Sequence, residues 1–223
     1  MGDRIPVGEP KRYLNDSFNS HIYSGISSTT YTTPARQMVE ALNDYFRSQA
    51  EVPGKCLVDY VQFDTRYELA YSDKEVAASR AVINPRGGTA LLDAIGKAVL
   101  ELKAKLKALP EVHRPAKVQV VIVTDGEENS SWQYNYEQIK SLVKKQTKKG
   151  WDFVFLGANI DAVSVGSNFG IVPEKALTFN IASAAAVGNT SNSLSAYTTN
   201  YRGLGASAAT FSDDDRNKAL SES

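Results

Sequence analysis

The densest apolar run in the chain is Val118-Gln119-Val120-Val121-Ile122-Val123-Thr124. Apolar at nearly every position, not at alternate ones, it has the pattern of a strand buried on both faces, as in a parallel sheet. Residues 151–156 repeat that pattern, and 21–26 and 176–181 carry shorter versions of it. Residues 56–63 and 67–71 are separated only by Asp64-Thr65-Arg66, a spacing that predicts an antiparallel hairpin. Between these runs the apolar period changes to that of a helix. Met38, Val39, Leu42, Tyr45 and Phe46 mark a buried face over 35–48, and Leu91, Leu92, Ile95, Val99, Leu102 and Leu106 make a continuous stripe over 90–108. Residues 136–149 form an amphipathic helix with a solvated lysine face (Lys140, Lys144, Lys145, Lys148, Lys149), closed by Gly150. A short helix is expected at 161–169, and 73–82 reads as a short helix or an irregular crossover. Alternating strands and helices predict an α/β fold, doubly wound, with a mostly parallel sheet, one antiparallel edge strand and helices on both faces.

The ends have a different texture. Residues 1–19 mix prolines, glycines and charges of both signs and read as an extended arm. Residues 20–181 hold the strand and helix alternation and form the domain. From 182 to 223 the composition shifts to Ala, Ser, Thr, Asn and Gly, which predicts a helical and flexible extension. Within it 183–201 is a weak helix docked by Leu194, Tyr197 and Tyr201, and Ser212-Asp213-Asp214-Asp215 caps a short last helix.

Composition narrows the function. The 223 residues carry 25 Lys plus Arg and 25 Asp plus Glu, so no overall charge draws the chain to nucleic acid or to a membrane. With one cysteine, a disulfide framework is excluded, and two histidines make a zinc site improbable. No apolar stretch reaches the length of a membrane span and no secretory leader is visible, so a soluble protein is expected. Gly87-Gly88-Thr89 precedes a helix without the Gly-Lys-Ser/Thr of a phosphate-binding loop. No nucleophile elbow and no evident triad are present. Asp125 with Glu127 or Glu128 offers an acid–base pair only on paper, because acidic residues after a strand generally cap helices or face water. Asp93 and Glu101 read as surface charges. The chain is not expected to be an enzyme.

Val118–Thr124 followed by Asp125-Gly126-Glu127-Glu128-Asn129, with Pro85-Arg86-Gly87-Gly88-Thr89-Ala90-Leu91-Leu92-Asp93 upstream, resembles a von Willebrand factor A domain. The small stand-alone versions in bacteria and their phages are the nearest in style. Val61-Gln62-Phe63-Asp64 and Phe155-Leu156-Gly157-Ala158-Asn159 fit the same pattern in the same order. The resemblance covers about residues 20–181 and implies a six-stranded Rossmann-like sheet. It also implies a metal-ion-dependent adhesion site at the carboxyl edge, with a D-x-S-x-S loop after the first strand, a threonine from a second loop and an aspartate from a third. Thr89 and Asp125 match the second and third loops. The first does not match: Ser27 (or Ser28) stands where the aspartate belongs, with Thr29 (or Thr30) next. One carboxylate among neutral hydroxyls holds magnesium poorly, so a degenerate site without a functional cofactor is expected.

The resulting expectation is a protein–protein interaction module that contacts its partners through the carboxyl-edge loops, with Glu127, Glu128, Trp132 and Tyr134 as surface candidates. The alternative is a structural subunit of a larger assembly, such as a phage particle, self-assembling through its two ends. Either places the protein in the cytoplasm of a bacterial host or in a virion. A metal-assisted hydrolase ranks third.

Overall fold

The computed structural model describes residues 17–25, 33–83 and 87–222. Six strands form one sheet in the order β3-β2-β1-β4-β5-β6: β1 (Ser17–Gly25), β2 (Lys55–Phe63), β3 (Tyr67–Glu75), β4 (Lys117–Thr124), β5 (Trp151–Ala158) and β6 (Ala176–Phe179). Every neighbouring pair is parallel except β2 and β3, which form the antiparallel hairpin at one edge. Among the described residues six α-helices accompany them: α1 (Thr33–Ala50), α2 (Leu91–Ala108), α3 (Tyr136–Thr147), α4 (Ala162–Asn168), α5 (Ala184–Leu204) and α6 (Asp213–Ala219). Among the described residues no helix is long and apolar enough to cross a membrane.

Strand periodicity divides the core in two. Val118, Val120 and Ile122 of β4 join Phe153 and Phe155 of β5 beneath α2, α3 and α4. Their neighbours Val121, Val123, Val154 and Leu156 point the other way, beneath α1, α5 and α6. Both sets are almost fully buried, which is why the sequence there is apolar without alternation.

The first strand begins earlier than its pattern predicts, and Ser17, Phe18 and Asn19 belong to it rather than to an arm. Pairing on both sides explains the difference: Ser17 is in register with Lys55 and Phe18 with Lys117, so the backbone continues as strand whatever its side chains prefer. The rest of the expected arm, 1–16, lies outside the described residues. β5 runs two residues beyond its apolar pattern, through Gly157 to Ala158. Over 73–82 the chain extends β3 to Glu75 and has a single 3₁₀ turn, Val76–Ala78.

The segment from 182 onward, expected as an extension, covers one face of the sheet. Leu194, Tyr197 and Tyr201 of α5 are buried, and so are its Thr190, Ser191 and Thr198. A chain of buried hydrogen bonds fixes the helix. The Tyr45 and Thr198 hydroxyls lie 3.2 Å apart, Thr198 Oγ1 donates to Gln119 Oε1 (3.0 Å), and Gln119 Nε2 donates to Asp152 Oδ2 (3.0 Å). Tyr197 Oη donates to Asp152 Oδ1 (3.2 Å), and the Lys175 ammonium pairs with the same wholly buried carboxylate. Burial, reinforced by the charge of Asp152, pushes the Tyr197 and Tyr201 phenols far above their ordinary range. Arg202 donates to the carbonyls of Gln49 (2.6 Å), Val52 (3.1 Å) and Gly54 (3.1 Å) at the end of α1, satisfying acceptors that a helix terminus leaves open.

Candidate functional site

The strand order reverses direction between β1 and β4, which are adjacent and parallel, with Gly25 in register with Thr124. A crevice outside the carboxyl ends of such a pair is where open α/β sheets place their sites. β4 turns sharply there: Thr124 Oγ1 accepts from the Gly126 amide (3.1 Å) and donates to the Gly126 carbonyl (3.0 Å). Asp125 sits half-buried at this turn.

Thr89 is 2 % exposed and lies at the same edge. Its backbone is clasped by Asn129: the Thr89 amide donates to Asn129 Oδ1 (2.8 Å), and the Asn129 amide donates to the Thr89 carbonyl (3.1 Å). A role as N-cap of α2 does not hold. The cap residue is Ala90, without a side-chain cap, and the Thr89 hydroxyl has no hydrogen-bond partner among the described residues. Gly88 beside it has φ +76°, and a Cβ there would stand 2.6 Å from Thr65 Cγ2 and 2.9 Å from Ser130 Oγ. The close approach of three loops therefore requires glycine.

The N-terminus of α2 is capped instead from across the crevice. Glu128 Oε2 accepts from the Leu92 amide (2.8 Å) and from Ser131 Oγ (2.6 Å), while its Oε1 accepts from the amides of Ser130 (2.9 Å) and Ser131 (2.7 Å). Ser131 Oγ also accepts from the Asp93 amide (3.0 Å). A carboxylate suits the exposed amides and positive dipole end of a helix. Asp93, expected as a surface charge, returns the favour: its carboxylate accepts from the amides of Trp132 (3.0 Å), Gln133 (2.9 Å) and Tyr134 (2.9 Å). Its place in the first helical turn, where acidic residues meet free amides, was the available signal.

These bonds settle where the surface candidates stand. Glu128 is half-buried and occupied by the loop, whereas Glu127 is exposed. Tyr134 is half-buried, and its ring lies against Gly96 of α2, where a Cβ would meet it at 2.7 Å. Trp132 is 83 % exposed on a backbone that Asp93 holds in place. Beside it is a cleft of about 140 Å³ lined by Phe63, Thr65, Tyr67, Asp93 and Lys97. The Lys97 ammonium lies 4.2 Å from the centre of the Tyr67 ring. Tyr67 Oη donates to Glu101 Oε2 (2.8 Å), and burial, then that carboxylate, raises its phenol well above the ordinary range. Next along, Tyr136 stacks on Phe169 at 5.7 Å. Its phenol is raised by burial and then by the charges of Glu128 and Glu127.

Ser27 and Thr29 lie outside the described residues. Of the implied magnesium ligands, Asp125 and Thr89 share the carboxyl edge, and Thr89 supplies a hydroxyl without a partner. The donor set nonetheless fits the ion poorly. Residues 26–32 contain no carboxylate, Glu128 is engaged by four donors, and no group of three His, Cys, Asp or Glu side chains that could hold a metal occurs among the described residues. A single formal charge does not offset the dehydration of a hard dication.

No family model matches the chain, and no curated protein matches it. Among solved structures it is similar to the proximal thread matrix protein 1 of the mussel byssus in two crystal forms. Both show 14 % identity and cover 83 % of this chain and 47 % of that one, with TM-scores of 0.55 and 0.53. It is also similar to the ArnB paralog VWA2 of Sulfolobus acidocaldarius, at 15 % identity and a TM-score of 0.53, covering 79 % of this chain and 45 % of that one. The chain thus spans less than half the length of these neighbours, and identities so low speak for the fold alone. That fold is of the von Willebrand factor A type.

Proposed function

We propose that the chain is a non-enzymatic protein-interaction module that engages a protein partner through its carboxyl-edge loops, without a resident metal. The observation that carries this reading is Trp132: a large aromatic side chain, 83 % exposed, on a loop whose backbone is already fixed by Asp93 and Glu128. A preordered loop loses little freedom on binding, and aromatic side chains next to a cleft are the usual energetic centres of an interface. The single carboxylate of the implied donor set supports the absence of a metal.

The reading of the chain as a structural subunit that assembles through its ends has less support. Residues 184–219 bury Leu194, Tyr197, Tyr201 and Ala219 against the chain's own sheet and are not a free arm.

A pull-down from the native source tests the proposal, using the parent, Trp132→Ala and a control, Leu204→Ala, whose side chain is also exposed but lies at the end of α5. The expected result is a captured partner retained by the parent and the control, with or without chelator, and lost by Trp132→Ala. Capture that survives Trp132→Ala, or that chelator abolishes, overturns the reading.

A further inference from the structure

The opposite edge of the sheet is basic. Between the starts of β4 and β5 and the last turns of α2 and α3 lies an open cavity of about 350 Å³. Lys103 and Lys107 of α2, Arg114 of the following link and Lys149 after α3 all line it. Its walls contain no carboxylate, and none of these four cations forms an ion pair among the described residues. Lys105, on the same helix, differs: it pairs with Asp59 and Asp73.

Lysines in the last turn of a helix also complement its dipole, and that accounts for Lys107. It does not account for Gln146. This side chain lines the cavity, is 1 % exposed, and its Nε2 amide is buried with no acceptor among the described residues. A buried donor without an acceptor is costly, and four cations gathered without a counter-charge repel one another. One anion with several acceptor oxygens removes both costs. Arg114 is ready for it. Its Nε donates to the Leu109 carbonyl (3.1 Å) and its Nη2 to the Lys107 carbonyl (3.2 Å), which orients the guanidinium and leaves further N–H donors free. Leu106 and Trp151 supply apolar wall.

We propose that this cavity binds a small, multiply charged phosphate compound. More than one negative charge is needed to neutralise the cluster. Tetrahedral phosphate oxygens suit donors converging from two helices and a link, and arginine forks match phosphate geometry. The volume is that of a small-molecule site. The inference is independent of the carboxyl-edge reading, since it uses other residues at the other end of the sheet.

Calorimetric titration of the full chain with inorganic pyrophosphate, and separately with ADP, tests it at low and moderate salt. Saturable one-to-one binding that weakens with salt is expected. Tighter binding of ADP would show the nucleoside packing on the apolar wall, and equal affinities would show recognition of the phosphates alone; both support the site. Lys107→Gln combined with Arg114→Gln should weaken binding by at least ~10-fold, and Gln146→Leu by ~10-fold, as loss of a hydrogen bond to a charged group implies. Gln146→Leu should leave the ligand-free melting temperature unchanged or raised, and Gln146→Met serves the same purpose if the leucine variant does not fold. Lys144→Gln, exposed on α3 outside the cavity, should bind as the parent does. The proposal is overturned if neither probe binds saturably, or if both Gln146 variants bind like the parent. It is likewise overturned if Lys144→Gln weakens binding as much as the double variant, or if poly-glutamate binds where pyrophosphate does not.

Discussion

At the carboxyl edge of the sheet two carboxylates, Glu128 and Asp93, are taken up by hydrogen bonds within the chain. Glu128 accepts four hydrogen bonds and Asp93 accepts three backbone amides. At the amino edge Lys103, Lys107, Arg114 and Lys149 face one cavity without a carboxylate among its walls, and the Gln146 amide has no acceptor among the described residues. Read along the sequence, the two regions rank the other way. The sequence marks the acidic turn as a candidate contact surface and Lys149 as part of a solvated lysine face, and it singles out none of Lys103, Lys107 and Arg114. What separates a structural charge from a functional one is whether its hydrogen-bonding capacity is already used. By that measure the acidic loop holds the backbone beneath Trp132 in place, and the basic cavity keeps donors that nothing among the described residues engages.

The hardest test of this contrast is Glu128→Ala. If the carboxylate builds the loop, its loss strands the amides of Leu92, Ser130 and Ser131 together. A destabilisation of about 3 kcal/mol is expected, since several hydrogen bonds to one charged group fail at once. The melting temperature should then fall by roughly 10 °C for a domain of this size. A variant melting with the parent would return Glu128 to the exposed surface and undo the contrast.

A smaller effect is expected from Gly96→Ala. The added Cβ falls 2.7–2.8 Å from atoms of the Tyr134 ring, so the ring must move and pull on the backbone that Asp93 holds. Helix propensity favours alanine by up to about 1 kcal/mol, which offsets part of the overpacking cost, so a net loss of about 1 kcal/mol is expected. Hydrogen exchange gives the sharper readout: the amides of Trp132, Gln133 and Tyr134 should exchange faster than in the parent. Unchanged exchange at those three amides would mean that Tyr134 does not brace the loop.

The same distinction explains what was legible in the sequence. The strands β4 and β5 and the helix α2 are written as apolar patterns, because each buries side chains by period alone. The crevice was legible too, since Asp125 and Thr89 end or begin such elements. The helix α5 was underestimated because its buried positions include Thr190, Ser191, Ser193 and Thr198. Its attachment runs through Gln119 and Asp152, two polar residues inside otherwise apolar strands. The part played by Glu128 was hidden for another reason. The helix it caps begins 36 residues upstream, and capping rules read from sequence look only at the adjacent residues. Likewise nothing local marks Gln146 as lacking an acceptor; that depends on what three separate segments bring to it.

The smallest expected effect falls at the Thr89 hydroxyl, a buried group of the carboxyl edge without a hydrogen-bond partner among the described residues. Valine is close to threonine in shape and removes the buried oxygen that lacks a partner. If nothing engages that oxygen, Thr89→Val should stabilise the fold by about 1 kcal/mol, a rise of roughly 2–4 °C in melting temperature. Magnesium at millimolar concentration, or chelator, should shift neither the parent nor the variant. The opposite pattern is equally readable. If magnesium stabilises the parent and not the variant, the hydroxyl is a ligand, and Asp125 together with the loop of Ser27 and Thr29 completes a working site despite its single carboxylate. The carboxyl edge would then offer a buried donor group to a ligand, as is proposed for the amino edge. The metal-free interaction module would give way to a metal-dependent one.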